Sequence, residues 1–228
     1  LYKLAFDKLN ATQAGKFTVA DQEELWQSIL QKNIFVVAKT PMAKTITERT
    51  LAGYRGYKTN VAFVDDNVEA AKKSIDDSVN KIKEAFDDMK FDVVIGNPPY
   101  QESIEGTSDN PIYHLFYELS FKLADKVTLI TPARFLFNAG KTPNNWNANM
   151  LSDVHLKVVK YWKKSNEVFP NTDIKGGVTI VFRDNNMNYG AIGTFTPFEE
   201  LSKIIKKVEP FVETKSLRDI IYLQNKFS

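Results

Sequence analysis

Two short apolar runs separated by one amphipathic segment predict an α/β fold. The runs are Val61-Ala62-Phe63-Val64 and Phe91-Asp92-Val93-Val94-Ile95. Their β-branched content and weak alternation match strands buried on both faces of a sheet. Between them, Val68, Ala71, Ile75, Val79, Ile82 and Phe86 fall at helical spacing and define one face of a long helix. Strand, helix and strand in that order predict a right-handed parallel crossover over residues 61–96. With 228 residues, 43% of them hydrophobic, the chain can bury a real core, and one domain is the default expectation.

Residues 1–50 read as helical segments around a short strand at Asn33-Ile34-Phe35-Val36-Val37, and Gly53 and Gly56 punctuate a turn. Asp66 and Glu69 have the spacing of a capping box at the start of the long helix. Beyond the crossover, Ile112, Leu115, Phe116, Leu119 and Leu123 mark a helix. Strands are expected at 127–130, 158–162, 178–182 and 192–195. Thr196-Pro197-Phe198-Glu199 offers an N-cap, a proline at the first helical position and a glutamate three residues after the cap, so a helix should span 197–208. The expected organisation is a core sheet over 61–208, a less regular segment over 1–60 and the start of a following region over 209–228.

Composition narrows the chemistry. The chain has no cysteine and only two histidines, His114 and His155, so neither a disulfide framework nor a thiolate or histidine-rich metal centre is expected. No apolar run approaches the roughly 20 residues of a membrane helix, and Leu1-Tyr2-Lys3-Leu4 lacks a signal-peptide pattern. The expected location is cytoplasmic. The net charge of +2 neither announces nor excludes a nucleic-acid partner, because a neutral average can hide a basic face. A first residue that is leucine and a last stretch, 222–228, without a clear cap suggest a piece of a longer polypeptide.

The chemistry concentrates at Ile95-Gly96-Asn97-Pro98-Pro99-Tyr100, directly after a predicted strand. Ligands of open α/β sheets collect outside the carboxyl ends of the strands, which is where Asp65 and Asn97 are expected. Two consecutive prolines lock the backbone of this loop. Rigidity is useful if the substrate is an exocyclic amino group, whose lone pair is delocalised into its ring. The side-chain oxygen of Asn97 and the carbonyl of Pro98 could each accept one amino hydrogen and turn that lone pair outward. Tyr100 offers an aromatic face on which a base could stack, and a base inside a duplex would first have to be flipped out.

Asn97-Pro98-Pro99-Tyr100 resembles the signature of the adenine-specific DNA methyltransferases. Glu167-Val168-Phe169-Pro170, followed by 173–182, is similar to the late motif of their gamma class. Overall the pattern is most like the methylase part of combined type II restriction-modification enzymes, judged also from Pro111-Ile112-Tyr113-His114-Leu115-Phe116 and Ile130-Thr131-Pro132-Ala133-Arg134-Phe135-Leu136. It covers roughly residues 90–190. The resemblance implies a Rossmann-like sheet with helices on both faces, S-adenosyl-L-methionine (AdoMet) as cofactor, double-stranded DNA with a flipped adenine as partner, and no metal. A restriction endonuclease region in the same longer polypeptide is a further implied partner. Asn97, Pro98, Pro99 and Tyr100 would be catalytic, and Tyr100 and Phe169 would hold the flipped base between two aromatic faces. Arg134 suits either a DNA phosphate or a surface ion pair. Lys157, Lys160, Lys163 and Lys164, interleaved with Tyr161 and Trp162, suit either a DNA-facing surface or a guarded strand edge.

The sequence departs from that family in one respect. A stretch resembling Asp/Glu-Pro-x-x-Gly-x-Gly, which would cradle AdoMet, is absent, and Gly53 and Gly56 precede a strand instead. Asp65 can be read as a cofactor-binding acid or as a neighbour of a helix cap. An incomplete domain lacking its glycine loop accounts for the absence. Two rival readings follow. One is methylation of a protein glutamine, which would not need the Phe169 segment as a stacking partner. The other is a non-catalytic DNA-binding or assembly domain that lacks the cofactor loop.

Overall fold

The computed structural model describes residues 3, 6, 7, 18–102 and 110–208. The expectations for residues 209–228 and for most of 1–17 lie outside the described residues. Contacts divide the chain into two units, 1–91 and 92–228.

In the first unit, helix α1 (Val19–Lys32) opens on Thr18, whose hydroxyl accepts from the Asp21 N–H while the Asp21 carboxylate accepts from the Thr18 N–H. This reciprocal cap satisfies two otherwise orphaned donors. Strand β1 (Phe35–Ala38) leads into α2 (Pro41–Ala52). That helix is capped by the Thr40 hydroxyl, carries proline at its first position and ends on left-handed Gly53 at φ +58°. Strand β2 (Asn60–Phe63) then pairs parallel with β1, Val36 opposite Val61. The Asn60 side-chain amide donates to the carbonyls of Leu30, Gln31 and Ile34. It thereby ties β2 to the end of α1 and the entry to β1.

The parallel crossover is therefore 35–63, through α2, and not 61–96 as the local pattern predicts. Strand β2 belongs with β1, whereas β3 (Phe91–Gly96) belongs to a second sheet. Asp65 follows β2 in the first unit, and Asn97 follows β3 in the second. The predicted long helix is two helices, α3 (Asn67–Lys73) and α4 (Ile75–Glu84). They break at Ser74, which is extended and whose hydroxyl accepts from the Asp77 N–H at 3.2 Å. Serine favours a cap over a helix interior because its hydroxyl competes for backbone donors. The apolar face survives the break, with Ala71, Val79, Ile82 and Phe86 buried. Asp66 forms no capping box: it is left-handed at φ +52° and makes no side-chain cap. Phe35, Phe86 and Phe91 meet edge to face at 5.5–5.9 Å.

The second unit holds a four-stranded sheet in the order β3, β6 (Ala124–Pro132), β8 (Val178–Asp184), β7 (Leu156–Trp162). Strand β8 runs antiparallel to both β6 and β7. Helices α5 (Tyr113–Leu123) and α6 (Asn144–Ser152) supply Tyr113, Tyr117, Trp146 and Met150 to a core shared with Val127, Leu129, Phe135, Leu136, Leu156 and Val181. The Trp146 ring lies 5.3–6.0 Å from the rings of Phe135, Tyr117 and Tyr113, an aromatic cluster favoured by edge and tilted contacts.

Two further expectations change. Strand β3 is not buried on both faces: Val93 and Ile95, alternate residues of one face, are 46% and 76% exposed, while Val94 on the other packs on the core. Residues 192–195 are not a strand. Gly190 and Gly193 take positive φ on either side of Ile192, which breaks extended geometry, yet Ile192 and Phe195 still pack against the core. Helix α7 (Glu199–Val208) starts two residues later than predicted, after the Thr196 hydroxyl accepts from the Phe198 N–H. Among the described residues no helix is long and apolar enough to cross a membrane.

Candidate active site

Strand β3 ends on Gly96, where a Cβ would stand 3.3 Å from Leu129 Cδ2 of β6. The missing side chain lets the two strands lie close just before the Asn-Pro-Pro-Tyr loop departs. Asn97 is exposed, and its side-chain amide makes no hydrogen bond to the described residues. Pro98 and Pro99 are half-buried. The far end of the loop is anchored, because the Tyr100 carbonyl accepts from the Ile112 N–H at 3.0 Å. Short strands β4 (Gln101–Glu102) and β5 (Asn110–Pro111) pair antiparallel beside it. The amide thus stands free on a loop held at both ends.

The Tyr100 hydroxyl is buried without a hydrogen-bond partner. Burial pushes this phenol up to about 12, so it stays neutral at any working pH. The Tyr117 hydroxyl and Thr131 Oγ1 form a fully buried pair at 2.8 Å, and burial raises the Tyr117 phenol as well. Burial likewise pushes Tyr113 up to about 12, with the Thr142 hydroxyl and the Arg134 guanidinium acting the other way. His114 Nδ1 is a second buried polar atom without a partner, and burial lowers that imidazole's pKa.

Phe169 meets Tyr100. The ring centroids are 6.4 Å apart with planes at 64°, an edge contact rather than two parallel faces. Holding a base between them would require parallel rings about 7 Å apart, twice the base-stacking rise of about 3.4 Å, so one ring must turn. The loop bearing Phe169 is built around Ser165, which is 3% exposed. The Ser165 carbonyl accepts from the Val168 and Phe169 N–H groups. Its hydroxyl donates to the Thr172 carbonyl at 2.9 Å and accepts from the Ile174 N–H at 2.8 Å. The Gly177 N–H then donates to Ile174 and the Gly177 carbonyl accepts from the Ala133 N–H at 3.0 Å, fastening the loop to the end of β6. Gly177, at φ +80°, has no room for a side chain: a Cβ would stand 2.1 Å from the Trp162 carbonyl oxygen.

The sequence-predicted residues fall in both units. Asn97, Pro98, Pro99 and Tyr100 form one loop, and Phe169 is brought to Tyr100 across 69 positions of chain by the edge contact. Asp65 belongs to the first unit, exposed after β2, where its Oδ1 accepts from the neighbouring Asp66 N–H at 3.0 Å. Ser165 and the Tyr117–Thr131 pair are absent from the sequence expectations. A serine near a proline fits any turn, and a tyrosine on an apolar helix face reads as core, so no local pattern singles them out. Of the basic residues on β7, Lys157 Nζ lies 4.2 Å from the Tyr189 ring centroid and 5.4 Å from that of Phe182, and Lys160 Nζ lies 5.8 Å from that of Trp162. Cation–π contact thus draws these two lysines over aromatic rings. Among the described residues no group of histidine, aspartate and glutamate could hold a metal ion.

Comparison with known proteins gives matches to a family model, to a curated relative and to a solved structure. A family model described as Eco57I restriction-modification methylase matches residues 32–169, more than half of the chain. A Mycoplasma pneumoniae protein named "Uncharacterized adenine-specific methylase" is 33% identical over 116 residues, which cover 49% of this chain and 28% of that protein. A crystal structure of a modification subunit assigned to a type I restriction enzyme of Vibrio vulnificus aligns with a TM-score of 0.45 at 16% identity, covering 76% of this chain and 35% of that one. The chain thus spans about a third or less of the length of these two proteins.

Proposed function

The chain belongs to the Eco57I restriction-modification methylase family, and on that premise we propose that it carries the base-binding side of a DNA methyltransferase acting on the exocyclic amino group of a flipped adenine. The free amide of Asn97, on a loop made stiff by Pro98 and Pro99 and anchored at Tyr100, is the observation that carries this reading. The Asn97 Oδ1 and the Pro98 carbonyl are acceptors for the two amino hydrogens. Accepting both draws the nitrogen toward a tetrahedral geometry and frees its lone pair, so catalysis here is orientation and electrostatics. Tyr100 and Phe169 supply aromatic surface for the base, worth roughly 1–3 kcal/mol for a stacked base. Double-stranded DNA is the partner, because the duplex must yield the base before this loop can reach it.

AdoMet is the methyl donor that the family resemblance implies. Its cradle is not assigned among the described residues: Gly53 caps a helix, and Asp65 accepts from the N–H of its neighbour through one oxygen, which leaves the other open to solvent or a ligand. The chemistry assigned to this chain therefore stops at the amino group of the base.

The test is Asn97→Ala in the whole protein, assayed by transfer of labelled methyl from AdoMet to adenine in duplex DNA. Turnover should fall by about 100-fold or more, the usual loss when an oriented group acting on developing charge is removed, with the circular dichroism of the protein unchanged. Wild-type turnover in that variant would remove the reading.

A further inference from the structure

Arg134 opens the short 3-10 turn Arg134–Phe137 that follows β6, and its side chain is exposed. Its base is fixed, because the Arg134 carbonyl accepts from the N–H groups of Asn138 and Ala139. Its stem is flanked by two loops that carry glycine where they meet it. A Cβ on Gly176, at φ +87°, would stand 2.6 Å from Arg134 Cγ, and one on Gly140, at φ +106°, would stand 3.4 Å from Arg134 Cβ. The Gly176 carbonyl is itself held by the Tyr161 hydroxyl at 3.2 Å.

Among the described residues no carboxylate forms a salt bridge with Arg134, whereas Arg55 and Arg183 are paired with Glu23 and Asp153. Of the two readings that the sequence left open for Arg134, the surface ion pair has no anion among the described residues. The same hydrogen bonds that fix this region also fix Phe169, running from Ala133 through Gly177 and Ile174 to Ser165 and on to the Phe169 N–H. The arginine and the aromatic ring stand at two ends of one bonded unit.

We propose that Arg134 is the anchor for a phosphate of the DNA backbone next to the flipped nucleotide, an inference that rests on the DNA reading above. A guanidinium grips a phosphate through two parallel N–H donors, and backbone contacts of this kind set register without reading sequence. Extruding a base requires the flanking backbone to be held while stacking is lost. A phosphate anchor fastened to the loop that receives the base couples the two events.

The experiment is binding of a fluorescein-labelled, adenine-containing duplex, followed by anisotropy across a range of salt concentrations. The proteins compared are the wild type, Arg134→Gln and Arg134→Lys. Glutamine keeps a stem between the glycines and removes the charge, so affinity should fall about 10-fold, as for one lost charge-assisted hydrogen-bonding contact. The slope of log K against log salt should flatten by about 0.9, one phosphate's worth of released counterion. Lysine should keep the slope. Gly176→Ala, which leaves the charge in place but drives a methyl into the arginine stem, should weaken binding as well. A wild-type salt slope in Arg134→Gln, with duplex binding intact in the wild type, would overturn the assignment of Arg134 and leave the DNA reading standing. Failure of the wild type itself to bind duplex at low salt would overturn both.

Discussion

At the scale of single residues, the site rests on contrasts of satisfaction. Asn97 is exposed and unengaged, whereas Tyr100 is embedded with its hydroxyl unpaired. An unpaired buried hydroxyl is a standing cost, so Tyr100→Phe should leave the protein as stable as wild type or more stable, while stacking surface is retained. Thermal melting of the variant checks this, and a clear loss of stability would mean that the hydroxyl has a partner in solution. Tyr100 and Tyr113 also predict the alkaline limit of the fold. Their phenols are raised from 10.0 to about 12 by burial. A raised folded-state pKa means the native state holds its proton longer than the unfolded chain does. Stability is therefore complete below pH 10 and is lost as the pH rises from about 10 to 12. Melting temperatures taken through that window should fall for wild type and fall less for Tyr113→Phe.

At the scale of elements, the loop carrying Phe169 depends on one serine rather than on its own hydrophobicity. Ser165→Ala removes the donor to Thr172 and the acceptor for Ile174 in a buried setting. The expected destabilisation is about 1–3 kcal/mol, the range for leaving buried backbone groups unsatisfied. Loosening the loop should also blunt the fluorescence change of 2-aminopurine placed at the target base, without changing the salt dependence of duplex binding. An unaltered fluorescence response in a destabilised variant would reduce Ser165 to a purely structural part. Elements also show which local signals the sequence carries beyond its periodicity. Thr18, Thr40 and Ser74 each cap a helix with a hydroxyl. Thr40 comes with a proline directly after it, a signature visible in any sequence. Ser74 was hidden because the apolar spacing runs straight through it, and periodicity cannot register one residue that leaves helical geometry while the face it interrupts continues.

At the scale of the molecule, the second unit is held by a cluster in which Trp146 touches Tyr113, Tyr117 and Phe135. Trp146→Ala should cost about 3–5 kcal/mol in urea unfolding, as large-to-small changes at buried aromatic positions do. A loss under about 1 kcal/mol would mean that the neighbouring rings collapse into the space. The sheet of this unit sets β8 between β6 and β7, antiparallel to both. That order brings the loop after β7 beside the end of β6, where Gly177 bonds to Ala133 and Arg134 meets Gly176. The Phe169 loop is therefore a product of sheet order.

Sequence alone determined the α/β class, the position of most helices and strands, and the loop at Asn97 to Tyr100. Each is written in local periodicity, caps or rigid residue types within a few positions of one another. It also named Phe169, through resemblance rather than spacing. Tertiary structure decided which strands are neighbours. It moved the parallel crossover to 35–63, assigned β2 and β3 to different sheets and left Ile95 exposed. It also decided that Tyr100 meets Phe169 edge-on and that Arg134 has a glycine on each side and no carboxylate among the described residues. The physical reason is the same throughout. A strand's composition records that it will be paired, but the choice of partner lies in contacts between residues far apart in the chain, which no local pattern carries.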